Sequence, residues 1–280
     1  MQLAQGSTFN GFFNNYDGLA SGLQPIGVKY DDASRKVVCT LEQDDIMDGL
    51  NWLHKWYQDG IINPDANVVT DGGKGSIFGS AQGWPAAATT WAFNQGIEKY
   101  DLTQVFGPLY TTETIQGSMN AISANSKYKT EALKVLQLMN TDPKFRDMCA
   151  YGTEGNYMEY AEDGTVQKLR DDWNWPSYTQ GTFFILSTQA DGDPDAWNQV
   201  KEQNESATSS TCLGFALDVT NIQNEIANCN TVWDKYKNDL LTGASDPATA
   251  VPACIEELKA AGLDTVIEEA QKQVDEFFAN

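Results

Sequence analysis

Hydrophobic residues recur at helical spacing in the first third of the chain. Intervals of four, three and four residues separate Ile46, Leu50, Leu53 and Tyr57. Residues at this spacing lie on one face of a helix, so the pattern predicts an amphipathic helix over residues 44–59. Gly60 follows at a position where glycine commonly ends a helix, and Pro64 supports an end there.

The clearest helical pattern lies in the last quarter of the chain. Its apolar positions alternate at intervals of four and three residues and comprise Ile222, Ile226, Cys229, Trp233, Tyr236 and Leu240. Asp218 or Thr220 can cap the start of this helix, and Gly243 can close its end.

Two further helices are predicted towards the C-terminus. The first opens at Asp246-Pro247 and is expected to break at Pro252, because proline lacks the amide donor that a helix interior needs. The second covers residues 265–278, since Thr265 and Glu268 have the spacing of a capping box.

Short strand patterns interrupt the helices. Two strands around a polar turn are predicted in VKYDDASRKVVCTL, and Asp163-Gly164 predicts a second hairpin with a type I′ turn. Two single strands are predicted at GSMNAIS and CLGFAL. A helix in TEALKVLQLMN and another from Asp142-Pro143 to Gly152 complete the order of elements.

Strands interleaved with helices favour the α/β class of fold. With 280 residues, the chain can form one large domain or two small ones. We expect an α/β lobe in residues 1–150. Residues 151–280 are expected to form a C-terminal region, in which a hairpin and an aromatic loop precede a strand and three packing helices.

The charge balance narrows the range of partners. The chain carries 18 basic and 39 acidic residues, a formal net charge of -21. This field repels phosphate backbones and anionic lipids, so nucleic acid is not expected as a partner, and it disfavours an anionic ligand. No apolar run is long enough to span a membrane, and residues 1–18 lack the basic and apolar regions of a signal peptide.

No set of residues indicates catalysis, a metal site or another cofactor. The five cysteines are widely spaced without a CxxC pair, and His54 is the only histidine. We interpret the cysteines as small buried side chains, with a disulfide or a reactive site as the alternatives. The segment GGKGS lacks the upstream glycine of a phosphate loop. We therefore expect that the protein is not an enzyme.

Aromatic residues are dense in segments that are also rich in Asn, Gln, Thr and Asp. They include Trp84, Trp91, Phe93, Trp173, Trp175, Tyr178, Phe183 and Phe184. A ring face with a polar rim suits a sugar, because the CH groups cover the ring while the hydroxyls hydrogen-bond to amides and carboxylates. Packing in the core is the alternative, and we favour it for Phe183 and Phe184.

Three segments, taken in order, resemble the extracellular solute-binding proteins of ABC importers. They are residues 117–157, 214–243 and 257–278. More narrowly, the chain resembles the family 1 lipoproteins of Gram-positive bacteria that end in a C-terminal domain of unknown function. The characteristic loop and terminal helix of that branch correspond here to Gly152, Glu154, Gly155, a displaced Tyr157, Gln271 and Gln273.

The resemblance implies a periplasmic-binding-protein-like architecture of type II, which closes on a small ligand by hinge bending. It implies docking on the ABC permease subunits in the membrane and an extracellular, lipid-anchored location, with the signal and the anchor absent from this chain. It also implies that most of a first lobe is missing, so the architecture is expected to be incomplete, with a helical C-terminal region. A monomer is expected.

The expected function is the capture of a small neutral solute, an oligosaccharide in the first instance, for import without chemistry. The alternatives are a peptide or amino-acid binding protein, with Arg170 holding a carboxylate, and a carbohydrate-active enzyme or adhesion module. The expected ligand-binding residues are Trp84, Trp91, Trp173 and Trp175 as stacking platforms, with Glu154, Asn156 and Tyr157 as polar contacts. With half of the cleft missing, the affinity for sugar is expected near millimolar or weaker.

Overall fold

The chain forms two compact units. The computed structural model describes residues 1–71, 79, 81–85, 87, 101–170, 172–177, 179–190 and 192–279. The first unit comprises Met1–Gln82, Val105–Thr114 and Thr208–Asn280, and the second comprises Gly83–Gln104 and Ile115–Ala207. This division differs from the expected boundary after residue 150. The N-terminal hairpin and the C-terminal helices share one hydrophobic core, and packing between distant segments leaves no local signal in a sequence.

The described residues combine eight helices with seven short strands, which confirms the predicted α/β class. The helices are α1 (Asp44–Gln58), α2 (Thr112–Ile115), α3 (Lys129–Thr141), α4 (Pro143–Tyr151), α5 (Ala196–Glu205), α6 (Gln223–Leu241), α7 (Pro247–Ala260) and α8 (Leu263–Phe278). The strands are β1 (Tyr16–Asp17), β2 (Ile26–Lys29), β3 (Val37–Cys39), β4 (Leu109–Tyr110), β5 (Met158–Tyr160), β6 (Val166–Lys168) and β7 (Thr208–Ser209).

The first unit packs four helices and an antiparallel sheet around an apolar core. The sheet has the order β1-β2-β3, and β4 pairs with β7 in parallel. In the β2-β3 hairpin, Ile26 pairs with Cys39 and Val28 with Val37, and all four side chains are buried. Helices α1, α6, α7 and α8 contribute further core residues, namely Ile46, Leu50, Ile226, Cys229, Trp233, Val251, Cys254, Leu258, Val266 and Val274.

Two glutamines attach α8 to neighbouring loops through backbone hydrogen bonds. Gln271 accepts from the amide of Val37 at 2.8 Å and donates to the carbonyl of Arg35 at 3.2 Å. Gln273 accepts from the amide of Asp218 at 2.9 Å and donates to the carbonyl of the same residue at 3.0 Å. The side-chain amides thus replace backbone partners that these loops lack.

The second unit contains α3, α4, α5 and the β5-β6 hairpin. Helix α4 starts as predicted, because the Asp142 side chain accepts a hydrogen bond from the amide of Phe145 at 3.0 Å and Pro143 occupies the first helical position. The buried apolar cluster described in the second unit is small and consists of Tyr151, Met158, Val166 and Leu186. Two charged residues of the same helix, Arg146 and Asp147, are also buried.

Most of the predicted helices are confirmed, with differences at their ends. Helix α1 matches the expected range, and α6 buries the expected face. Helix α7 continues through Pro252, whose ring faces solvent while the buried Val251 and Cys254 hold the helix against the core, so the predicted break is wrong. Helix α8 begins before the predicted capping box, directly after Gly262 in a left-handed conformation.

Both predicted hairpins are confirmed, but the two isolated strands are wrong. Residues 117–123 form no strand, and Met119 is largely exposed. The segment CLGFAL buries Cys212, Phe215 and Leu217 as predicted, but it does so through successive turns. A short apolar run identifies burial more reliably than backbone conformation, because a turn can bury the same side chains as a strand.

The turn of the second hairpin also differs from the prediction. A type I′ turn needs a positive φ at both central residues, but only Gly164 has one, at 83°. The amide of Gly164 donates to the carbonyl of Ala161 at 3.0 Å, and the Asp163 carboxylate accepts from the amide of Thr165 at 3.0 Å. This is the pattern of a three-residue loop closed by a glycine in the left-handed region.

The cysteines agree with the interpretation as small buried side chains. All five are free thiols, and four are buried, namely Cys39, Cys212, Cys229 and Cys254. Burial raises the pKa of the Cys39, Cys212 and Cys229 thiols to about 11 and that of Cys254 to about 12. These four thiols stay protonated at neutral pH, so they are poor nucleophiles.

Candidate functional site

The turn after α4 directs Tyr157 back over the end of that helix. The helix ends at Gly152, which has a positive φ of 91°. A Cβ atom at Gly152 would lie 2.5 Å from the Cβ of Tyr157, so the tyrosine requires a glycine beneath it. The amide of Tyr157 donates to the carbonyl of Thr153 at 2.9 Å and closes the turn. The glycine-rich segment therefore fixes the position of Tyr157.

Tyr157 lies in a cluster of aromatic and polar side chains. We call this set the Tyr157 cluster, and it consists of Asn156, Tyr157, Arg170, Asp172 and Trp173. The ring centroids of Tyr157 and Trp173 are 5.2 Å apart, with an interplanar angle of 57°. The Arg170 guanidinium lies 4.7 Å from the centroid of the Tyr157 ring. Tyr157 and Trp173 are both half-buried.

Opposite charges balance at the rim of the cluster. Arg170 forms an ion pair with Asp172, in which Nε donates to Oδ1 at 2.9 Å. Its Nη1 also donates to Oδ1 of Asn156 at 3.5 Å. The hydrogen bond with Asp172 raises the pKa of Arg170, and the same bond lowers the pKa of the Asp172 carboxyl. Both groups are therefore charged at neutral pH, and the rim has no net charge.

The indole of Trp173 is anchored to α4. Its Nε1 donates to the carbonyl of Cys149 at 3.0 Å. Trp175 is half-buried as well, and its Nε1 atom is buried without a hydrogen-bond partner among the described residues. Neither tryptophan belongs to a hydrophobic core cluster of the described chain.

The other expected site residues are not brought into the cluster by any described contact. Trp84 is half-buried, and its carbonyl accepts from the amide of Ala87 at 2.9 Å. Glu154 is exposed in the turn that precedes Tyr157. Trp91 lies outside the described residues. The structure therefore groups Asn156, Tyr157 and Trp173 out of the seven expected residues.

The sequence did not identify the ion pair at the rim. The sequence suggests Arg170 only as a partner for the carboxylate of a peptide, and it does not single out Asp172. An arginine and an aspartate two residues apart, at the start of an aromatic loop, are the available signal. Because Asp172 already pairs with Arg170, a peptide carboxylate would have to displace it.

Aromatic residues outside the cluster have other surroundings. Phe183 packs on the core of the second unit and stacks on Trp197 with centroids 4.9 Å apart, but Phe184 is 52% exposed, so its expected place in the core is wrong. In the first unit, a groove of about 360 Å³ is lined by Phe9, Phe12, Gly49, Trp52, Leu53 and Trp56. These side chains offer no polar group for hydroxyls apart from the indole N–H, so the groove suits a sugar poorly.

The described residues contain neither a cluster of metal ligands nor a membrane-spanning helix. No group of three or more His, Cys, Asp or Glu there is arranged to hold a metal ion. No helix within the described ranges is long and apolar enough to cross a membrane.

The fold is that of the periplasmic-binding-protein-like type II class. The crystal structure of the N-glycan transport solute binding protein NgtS from Streptococcus pneumoniae superposes with a TM-score of 0.82 at 25% identity. The superposition covers 95% of this chain and 61% of the NgtS chain. The complexes of NgtS with Man1GlcNAc and Man5GlcNAc superpose with TM-scores of 0.78 and 0.74, both at 26% identity. Both superpositions cover 95% of this chain, and they cover 62% and 61% of the respective NgtS chains.

The sequence comparison gives a particular relative. The chain is homologous to a carbohydrate ABC transporter substrate-binding protein of S. pneumoniae serotype 4, with 28% identity over 283 residues, 95% of this chain and 57% of that protein. Residues 211–279 match a family described as a domain of unknown function, DUF3502, as the resemblance implied. The chain thus spans less than two thirds of the length of these relatives.

Proposed function

We propose that this chain belongs to the substrate-binding component of an ABC importer and binds a neutral oligosaccharide, without chemistry, at the Tyr157 cluster. The observation that carries the proposal is the pair of half-exposed rings, Tyr157 and Trp173, beside the polar groups of Asn156, Arg170 and Asp172. Such a surface can cover the CH face of a sugar and hydrogen-bond to its hydroxyls.

Three further observations support a neutral sugar. The homologous protein is a carbohydrate transporter component, and the solved relative binds Man1GlcNAc and Man5GlcNAc, which are built of uncharged sugars. The rim of the cluster is neutral because Asp172 compensates Arg170. The net charge of -21 opposes the approach of an anion.

Trp84, Trp91, Trp175 and Glu154 remain proposed contacts of the same ligand. We further propose that the protein acts as a monomer, docks on the permease subunits of the importer, and works at the outer surface of a Gram-positive cell as part of a lipid-anchored protein. These proposals follow from the resemblance of the chain to lipoproteins of this kind and from its homology to the pneumococcal protein.

A nitrogen-15 NMR titration of the intact chain with Man5GlcNAc tests the proposed function. We expect saturable shifts of the Trp173 indole resonance, with a Kd near 1 mM or weaker, where 1 mM corresponds to about 4 kcal/mol. Replacing Trp173 by Ala should weaken binding by about tenfold, or about 1.4 kcal/mol. Trp52→Ala, which removes an exposed tryptophan of the first unit, should leave the affinity unchanged.

Other outcomes of the titration would overturn the proposal. Saturable binding of a small acidic peptide without binding of oligosaccharide would favour the alternative of peptide capture. New reducing ends during the titration would identify an enzyme instead. Equal effects of Trp173→Ala and Trp52→Ala would move the sugar away from the Tyr157 cluster.

A further inference from the structure

A second set of contacts joins α4 to the irregular segment that carries the aromatic residues. Residues 172–187 of the described chain contain turns but no helix or strand, so backbone pairing cannot fix their course. Side chains of α4 and its carbonyl groups supply the missing partners at several points. The first is the bond from the Trp173 indole to the carbonyl of Cys149 at 3.0 Å.

Arg146 hydrogen-bonds to two carbonyl groups in the middle of this segment. Its Nε donates to the carbonyl of Thr182 at 2.9 Å, and its Nη2 donates to the carbonyl of Ser177 at 2.8 Å. The guanidinium also lies 5.3 Å from the centroid of the Phe183 ring. One planar group therefore bridges two carbonyls five residues apart, a geometry that a lysine ammonium cannot reproduce.

The burial of Arg146 is complete, which is rare for a charged residue. No carboxylate forms an ion pair with it among the described residues, and its Nη1 has no hydrogen-bond partner there. Burying an unpaired cation is costly, so the residue is poorly suited to a purely stabilising role. This unfavourable burial of Arg146 is consistent with a role in holding residues 172–187 in position.

The segment is shaped to fit closely over Arg146. Gly181 has a positive φ of 75°, and a Cβ atom there would lie 2.8 Å from the carbonyl oxygen of Met139 and 3.1 Å from Nε of Arg146. The next amide, that of Thr182, donates to Oδ1 of Asn140 at 3.0 Å. Glycine is thus required where the loop passes over the guanidinium.

The far end of the segment is held independently of Arg146. Asp147 accepts from the amide of Ser187 at 2.9 Å and from the Ser187 hydroxyl at 2.8 Å. Tyr151 donates to the carbonyl of Ser187 at 2.8 Å. Loss of Arg146 should therefore loosen the part of the loop that precedes Ser187 more than Ser187 itself.

We infer that Arg146 is a positioning residue of the proposed sugar site: it fixes the segment that carries Trp173 and Trp175, so that the Trp173 ring stays beside Tyr157. This inference rests on the proposed function for its consequence in binding. The positioning itself concerns the ligand-free protein and can be measured without a sugar.

The test measures hydrogen exchange by NMR in Arg146→Met, with Arg146→Lys and Met158→Ala as comparisons. Met158 is a buried apolar residue of the same unit, so Met158→Ala weakens the apolar cluster, which includes Leu186 of the segment, and leaves the hydrogen bonds of Arg146 in place. In Arg146→Met we expect exchange of the Trp173 indole N–H and the Thr182 amide to accelerate by about tenfold, and that of the Ser187 amide much less. Arg146→Lys should restore part of the protection.

Binding provides the second measurement. The Kd for Man5GlcNAc should rise by about tenfold in Arg146→Met and stay unchanged for the folded fraction of Met158→Ala. Unchanged exchange at Trp173 and Thr182, or an acceleration spread evenly over the unit as in Met158→Ala, would overturn the inference. If Arg146→Met does not fold, Arg146→Lys applies the same criteria, because it keeps the charge and loses the bridge between the Ser177 and Thr182 carbonyls.

The two proposals fail in different ways. If the wild-type chain binds no oligosaccharide while Arg146→Met still loosens the segment, the proposed function is wrong and the positioning role stands. If sugar binds and Arg146→Met changes neither exchange nor affinity, only the positioning role is wrong.

Discussion

The two units of the protein are stabilised by different kinds of contact. The first has an extensive apolar core that joins its N-terminal hairpin to α6, α7 and α8. The second has a small apolar cluster, and its helix α3 leaves Leu133 59% exposed. In addition, Arg146 and Asp147 of α4 hydrogen-bond to an irregular loop. Directional bonds of this kind define the position of a loop, but each depends on a single side chain.

The largest effect is expected in the core of the first unit. Leu50 is fully buried between α1 and its neighbours, so Leu50→Ala removes apolar contacts and leaves a cavity. We expect a loss of about 4 kcal/mol in the free energy of unfolding. Urea denaturation followed by the NMR resonance of the buried Trp233 indole measures this loss.

Leu133→Ala in the second unit is the matched control for Leu50→Ala. The same side chain is removed from an exposed position on α3, so the change should stay within about 0.5 kcal/mol. A similar loss in both variants would contradict the contrast between an apolar core in one unit and an open apolar face in the other.

The next largest effect is expected from Asp147→Ala in the second unit. The carboxylate accepts three hydrogen bonds, from the Ser187 amide, the Ser187 hydroxyl and the Tyr160 hydroxyl at 2.9 Å. Leaving these three partly buried donors unpaired should cost about 3 kcal/mol in total. Hydrogen exchange of the β5-β6 hairpin amides measures this loss. The control is the exchange of the same amides in Glu159→Ala, which removes an exposed carboxylate. Equal exchange in the two variants would show that the buried carboxylate does not hold the unit together.

Local sequence patterns predicted individual elements better than the arrangement of either unit. The period of α1 and α6 and the cap of α4 depend on residues close in sequence, and these predictions are confirmed. The sharing of one core by the hairpin and the C-terminal helices depends on residues that are distant in sequence. The burial of Arg146 has the same origin, because the segment that covers it lies thirty or more positions downstream.

A smaller loss is expected from Gln271→Ala, at the contact between α8 and the β2-β3 hairpin. This variant leaves the amide of Val37 and the carbonyl of Arg35 without their partner, which should cost about 1.5 kcal/mol. Lys272→Ala, at an exposed position of the same helix, is the control and should be nearly neutral. If the two variants were equally stable, the glutamine of the family motif would not be needed to attach the helix.

For the candidate site, the sequence predicted the kinds of side chain and part of their grouping. Asn156 and Tyr157 came from the resemblance and Trp173 from the composition of its loop, and the structure brings these three together. Asp172 was missed, because an exposed aspartate in an acidic chain has no distinguishing pattern. Only the structure shows that Asp172 pairs with Arg170 and that Arg170 lies over the Tyr157 ring.

The smallest effect is expected in the turn of the β5-β6 hairpin, from Gly164→Ala. No atom lies within 4 Å of a Cβ at this position, so only the positive φ of 83° opposes the side chain. The loss should be about 1 kcal/mol, and Gly164→Asn should lose less, because asparagine tolerates the left-handed region. Thermal unfolding of the wild type, Gly164→Ala and Gly164→Asn gives the order of their stabilities. Hydrogen exchange of the Thr165 amide provides a local measure.

Asp163→Ala separates the observed loop from the predicted type I′ turn. In a type I′ turn Asp163 would also carry a positive φ, so alanine there would be strained as at Gly164. In the observed loop, alanine removes only the exposed bonds to Thr165, so Asp163→Ala should be milder than Gly164→Ala. These bonds lower the pKa of the Asp163 carboxyl, so their contribution exists above its ordinary pKa and disappears as the pH falls through the lower value of the folded state. A loss in Asp163→Ala as large as that in Gly164→Ala would favour the type I′ turn.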